Sequence, residues 1–136
     1  MSEKKQVLIL CTGNSCRSIM AEALINAKLS ECAYAQSSGV KASGTVNPNA
    51  QALLESKGLW KEEYHSKVIE TVLETAFDLV VTVCDHAHET CPMFPNATKT
   101  LHMSFEDPSG KETPEYEKTL NLIEEKLLPA IKKELC

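Results

Sequence analysis

The sequence predicts one α/β domain, a doubly wound, mostly parallel four-stranded sheet with helices on both faces. Three observations carry that expectation. The runs QVLILC (6–11) and FDLVVTVC (77–84) are almost continuously apolar and β-prone, as strands covered on both faces are. Segments with helical spacing of apolar residues separate the strand candidates, and such alternation winds into a parallel sheet. No internal repeat, low-complexity tract or Pro/Gly/Ser linker divides the 136 residues, a length that suits one domain over 1–136 and not two.

The elements follow in order. After the strand Gln6–Cys11, a helix from about Cys16 carries Met20, Leu24 and Ala27 at helical spacing. Ala33–Ser38 is a weaker strand candidate ending at Gly39. Asn47 then offers an N-cap, Pro48 suits the first helical position, and Gly58 closes that helix. A short helix is expected from about Val68 to Thr75, ahead of the strand in 77–84, and KTLHMSF (99–105) reads as the fourth strand. The last helix opens at Thr113-Pro114 and runs to the C-terminus, with Leu120, Ile123, Leu127 and Ile131 on one face. Pro129 lacks an amide hydrogen and crowds the carbonyl four residues earlier, so it is expected to kink that helix. Ligands bind open parallel sheets at the carboxyl ends of the strands. Cys11, Cys84 and Asp107 all follow strand candidates and can converge there.

Composition narrows the function. A net charge of −5 and a pI near 5.4 argue against nucleic-acid or anionic-membrane binding, so an anionic substrate would need a local positive pocket. The start MSEKKQVLILC has too few apolar residues for a signal peptide or a membrane span, and a cytoplasmic monomer is expected. In that reducing setting, cysteines 11, 16, 32, 84, 91 and 136 point to catalysis, redox chemistry or metal binding rather than permanent staples. Asn96-Ala97-Thr98 is then a chance match to a glycosylation sequon.

The chemistry concentrates between the first strand and the first helix. Cys11 and Arg17 are separated by Thr12, Gly13, Asn14, Ser15 and Cys16, and Ser18 follows at once. Such a loop can wrap a tetrahedral oxyanion with inward amides, the positive end of the following helix and the guanidinium fork. Gly13 lets the backbone approach the ligand, and Asn14 tolerates the left-handed conformation that curls the loop. The same field is expected to lower the Cys11 thiol from about 8.5 into roughly the 3.5 to 7.5 range, with Ser18 donating to the sulfur. Cys16 has no evident proton acceptor and reads as a small buried thiol in the loop.

VLILCTGNSCRSIMAEA resembles the phosphate-binding loop and first helix of the low-molecular-weight protein tyrosine phosphatases. It is more similar still to the thioredoxin-coupled arsenate reductases that share their fold. The likeness extends through DLVVTVC, CP and FEDPSGK and so covers most of the chain. It implies a low-molecular-weight phosphatase-like fold, with Cys11 as nucleophile, Arg17 as oxyanion clamp and Asp107 as general acid. It also implies a Cys11, Cys84, Cys91 disulfide cascade that reduces arsenate to arsenite. The final disulfide would be reduced by an external thioredoxin-type protein, or by glutaredoxin with glutathione, and no tightly bound cofactor is implied.

Two other readings stay open. A tyrosine phosphatase would use Cys11, Arg17 and Asp107 alone, but DPSGKE offers no aromatic wall for a phenyl ring. A redox or zinc-responsive binding module would centre on Cys84, His86, His88 and Cys91, whose identities suit zinc but whose crowding into eight residues does not. Asp107 also sits in EDPSG, a natural turn composition. Cys32 and Cys136 have no evident partner and read as a packed thiol and a terminal one. One departure from the resembled reductases stands out. Some of them bind potassium beside the loop, through residues whose counterparts here are Asn14, Glu22 and Ser37 or Ser38. In YHSKVIE, however, Lys67 aligns where those reductases carry an acid, which leaves two readings open: an ammonium that replaces the ion, or a solvated surface lysine.

Overall fold

The apolar run after Lys5 becomes the inner strand β1 (Lys5–Cys11) of a four-stranded sheet. The structure, a computed structural model, describes residues 4–14, 16–72, 75–84, 99–106, 108 and 110–135. After β1 come α1 (Arg17–Lys28), β2 (Ala33–Gly39), α2 (Pro48–Ser56), a 3₁₀ turn (Ile69–Thr71), β3 (Leu79–Thr82) and β4 (Lys99–His102). The chain then forms α3 (Thr113–Leu122), a π turn (Ile123–Leu127) and α4 (Leu128–Leu135). Strand order is β2-β1-β3-β4 and every pair is parallel, the architecture the sequence predicts.

Successive side chains of a strand point to opposite faces. Val7, Leu8, Ile9 and Leu10 are all fully buried, so both faces of β1 are covered. Parallel register aligns Cys11 with Gly39 on β2 and Leu10 with Thr82 on β3, which brings the C-terminal ends of all three strands to one rim. α1 packs on β1 and β2 and touches α3, while α2 packs on α3. The Asn47 Oδ1 accepts from the amides of Asn49 at 2.9 Å and Ala50 at 3.4 Å, with Pro48 in the first helical turn. Its Nδ2 donates to the buried Tyr116 hydroxyl at 3.0 Å, so the cap also ties α2 to α3.

Two expected helices differ. Among the described residues of 68–75, the chain forms a 3₁₀ turn and no longer helix, and Val68 instead forms an isolated parallel bridge with Gly39, with the Lys67 carbonyl accepting from the Gly39 amide at 3.0 Å. Extended pairing suits Val68, whose branched side chain is stiff in a helix. The C-terminal helix meets Pro129 by widening: a π turn over Ile123–Leu127 stands just ahead of it, closed by the Leu128 amide donating to the Ile123 carbonyl. Cys32 is disulfide-bonded, not the packed free thiol expected, while Cys11, Cys16 and Cys84 carry no disulfide.

On the outer edge of β2, one buried side chain satisfies the backbone of Ala35. Asn26 on α1 accepts from the Ala35 amide at 2.8 Å and donates to the Ala35 carbonyl at 3.1 Å and to the Tyr64 hydroxyl at 3.2 Å. Asn26→Ala would leave buried backbone groups unpaired, and such groups cost about 1 to 3 kcal/mol each. We expect the variant to lose about 2 kcal/mol or more in urea denaturation. A loss below about 0.5 kcal/mol would mean that water replaces the amide without penalty.

Candidate active site

The loop after β1 is held open by its own carbonyls. The carbonyl of Cys11 accepts from the Val40 amide at 3.1 Å and that of Thr12 from Lys41 at 2.9 Å. The Gly13 carbonyl accepts from the Ser43 amide at 2.9 Å and from the Ser66 hydroxyl at 3.1 Å. Three successive carbonyls are thus turned to residues 40–43 and Ser66, while the Thr12 amide hydrogen-bonds the Cys11 sulfur. α1 starts directly behind, and its first turn contains no acidic side chain that would neutralise the helix's positive end.

Asn14 is the keystone of the loop. It takes the left-handed conformation, with φ of 50°, and is fully buried. Its Nδ2 donates to Ser18 Oγ at 2.8 Å and to Ser37 Oγ at 2.9 Å, and its Oδ1 accepts from the Lys67 amide at 2.7 Å. Ser37 in turn donates to Glu22 Oε1 at 2.6 Å. Ser37, and not Ser38, is therefore the β2 residue in this network. Burial pushes the Glu22 carboxyl up to about 7, against the Ser37 hydrogen bond and the positive charge of Lys67. Ser18 accepts from Asn14 through its oxygen, a bond that does not use the hydroxyl hydrogen expected to serve the sulfur.

Of the expected catalytic residues, the structure brings Cys11, Cys84 and Arg17 to one rim. Cys84 hydrogen-bonds Cys11, and its Sγ lies 3.2 Å from the Thr12 hydroxyl. Arg17 is near enough to pull the Cys11 thiol down and donates through Nη1 to the Phe105 carbonyl at 2.9 Å, which anchors the segment leading into 107. Pro108 is buried. Asp107, Cys91 and Ser15 lie outside the described residues, as do the expected zinc candidates His86 and His88. Among the described residues, no group of three or more His, Cys, Asp or Glu side chains is arranged to hold a metal.

The expected direction of the Cys11 shift is overturned. The thiol is pushed up from its ordinary value, first by its hydrogen bond with Cys84 and then by burial; Arg17 and the Thr12 amide oppose this and lose. A second thiol in the same buried site resists a second negative charge. The arrangement suits sulfur-to-sulfur chemistry as well as attack on an oxyanion.

Gly39 is a functional position that the sequence reading left as a strand end. A Cβ built on it would stand 2.6 Å from the Thr12 carbonyl oxygen and 3.0 to 3.1 Å from Asn14 atoms. Backbone cannot swing aside as a flexible side-chain tip can, so only glycine lets β2 pass this close to the loop. The signal was the glycine closing AQSSG, but nothing local said what it faces.

A family model described as low molecular weight phosphotyrosine protein phosphatase matches residues 6–135. The chain is 42% identical to an arsenate reductase of Brevibacillus brevis over 118 residues, 87% of each chain. It is similar to the solved arsenate reductase of Archaeoglobus fulgidus, with a TM-score of 0.78 and 32% identity over 93% of this chain and 98% of that one. A low molecular weight protein tyrosine phosphatase from T. tengcongensis aligns with a TM-score of 0.81 and 28% identity, covering 96% and 99%.

Two outcomes check this geometry. Cys84→Ala should lower the pH at which Cys11 becomes reactive, read by mass-spectrometric alkylation of Cys11 with iodoacetamide across pH; an unchanged or higher midpoint would contradict the thiol pairing. Gly39→Ala should weaken phosphate binding roughly tenfold or more by calorimetry while far-UV dichroism stays native. Parental affinity in that variant would show that the loop tolerates the added methyl group.

Proposed function

The chain belongs to the low molecular weight phosphotyrosine protein phosphatase family, and we propose that within it the protein is an arsenate reductase regenerated by an external dithiol protein of the thioredoxin type. The observation that carries this reading is the adjacency of two reduced thiols, Cys11 and Cys84, hydrogen-bonded to each other in one buried strand-end site. A phosphatase that hydrolyses a phosphoenzyme with water has no use for the second sulfur. A two-electron reductase needs it, and the similarity to named arsenate reductases points the same way.

In the proposed sequence, arsenate docks on the loop amides, the N-terminus of α1 and the Arg17 guanidinium. Cys11 gives up its thiol proton to solvent and bonds to arsenic as the thiolate, and the departing hydroxyl takes a proton from Asp107 and leaves as water, giving a thiol-arsenate adduct. The Cys84 thiolate, steadied by the Thr12 hydroxyl, then attacks the Cys11 sulfur. A sulfur-sulfur bond forms and the sulfur-arsenic bond breaks. Its electron pair moves to arsenic, which falls from the pentavalent to the trivalent state and departs as arsenite. Cys91, as thiolate, attacks Cys84, frees Cys11 and leaves a Cys84 to Cys91 disulfide. A thioredoxin-type dithiol, or glutaredoxin with glutathione, takes over that disulfide by exchange. The roles of Asp107 and Cys91 rest on the resemblance in sequence. The setting proposed is the cytoplasm, where such donors are kept reduced, with the protein acting as a monomer.

The test is stoichiometric. With Cys91→Ser, a prereduced sample should release one arsenite per chain, since Cys11 and Cys84 supply both electrons, while steady-state turnover with thioredoxin falls at least about tenfold. Cys84→Ser should release none. Parental cycling by Cys91→Ser would remove the third thiol from the scheme. A parent that hydrolyses aryl phosphate and yields no arsenite is a phosphatase.

A further inference from the structure

Behind the loop, on the side away from Cys11, a cleft of about 280 Å³ opens between α1, β2 and the segment before the 3₁₀ turn. Glu22, Tyr34, Glu63, His65 and Lys67 line it. Glu22 is buried, Lys67 is half-buried, and Glu63 and His65 are exposed. The positive charges acting on Glu22 are those of Lys67 first and then the exposed Lys61, with Glu63 opposing them. A buried carboxylate at this position needs a positive counterpart, and the relatives resembled in sequence use an alkali cation. The donor set here does not fit one, because an ammonium lines the same cleft as the carboxylate.

We infer that the Lys67 ammonium is the built-in counter-charge of Glu22, so that this chain needs no alkali cation behind its loop, and that Lys67 is thereby a positioning residue for the oxyanion site. The inference rests on the reading of the loop as an oxyanion site, and not on the fate of arsenic. The hydrogen-bond chain explains how a charge outside the loop acts on it. As a carboxylate, Glu22 can only accept, so Ser37 spends its single hydrogen on Glu22 and presents a lone pair to Asn14. Asn14 Nδ2 can then reach both Ser18 and Ser37, while its Oδ1 holds the Lys67 amide. The charge on Glu22 sets the direction of the Ser37 bond, while the Lys67 amide, which can only donate, sets the orientation of Asn14. Lys67 thus fastens the loop twice, by its backbone to Asn14 and by its charge to Glu22, and side-chain substitution removes only the second.

The test measures inorganic phosphate affinity by calorimetry, in potassium chloride and in sodium chloride at equal ionic strength, with thermal midpoints alongside. The parent should give the same dissociation constant in both salts, within about twofold. Lys67→Met should bind phosphate roughly tenfold more weakly in both, and Lys67→Arg should restore binding. In a Glu22→Gln background, Lys67→Met should have no further effect, a coupling that a merely structural lysine would not show. Lys67→Asp should be weak in sodium and regain affinity in potassium. Clear tightening of the parent by potassium, parental affinity in Lys67→Met, or additivity with Glu22→Gln would each overturn the inference. Failure of the parent to bind phosphate in either salt would instead overturn the oxyanion-site reading on which it rests.

Discussion

The site depends on the burial of one amide side chain. Asn14 holds a conformation that costs an ordinary residue about a kilocalorie per mole or more, and it does so inside the protein where an unsatisfied amide would cost further. Both debts are met by one set of partners drawn from three parts of the chain: Ser18 on α1, Ser37 on β2 and the backbone of Lys67. The loop is therefore curled by tertiary structure and not by its own sequence. An oxyanion arriving there meets donors already aimed, with little left to reorganise.

Parallel pairing then does the rest. β1 and β3 are neighbours in register, so the residues that leave their carboxyl ends emerge side by side. Cys11 is the last residue of β1, and Cys84 stands two residues past β3. Two sulfurs separated by 72 residues in sequence thus meet without any special loop. The cost of the meeting is electrostatic: each thiol makes it harder for the other to carry charge, which is why the positive surroundings of Cys11 do not by themselves lower its ionisation.

Local signals were legible and long-range ones were not. The strand, loop and helix around Cys11 could be read because their determinants lie within about twenty residues, and the Asn47-Pro48 start of α2 for the same reason. The segment after Lys67 could not, since Val68 takes its extended form from a bridge to Gly39, 29 residues earlier. Strands β3 and β4 end sooner than their apolar runs, although backbone hydrogen bonds continue past them from Val83 to Leu10 and from Phe105 to Val83. The Cys11 shift was misjudged by weighing Arg17 and the helix without the second thiol, whose position only the sheet order supplies. Glu22, read only as a counterpart of a cation ligand, and Asn26, which the sequence did not single out, prove to be buried anchors for the loop and for β2.

The close approach at Gly39 bears on protein engineering. A nine-residue stretch carrying Cys11 to Ser18 looks portable, a ready cassette for installing an anion cradle on some other parallel sheet. Its shape, however, is moulded from outside by the adjoining strand, which must come within contact distance of the Thr12 carbonyl and also deliver a hydroxyl to Asn14. A recipient scaffold would need both: a bare α-carbon at the level of the cradle and a serine two residues earlier. The transferable unit is a pair of strands, and a transplant of the loop alone carries the letters of the motif without the mould that casts it.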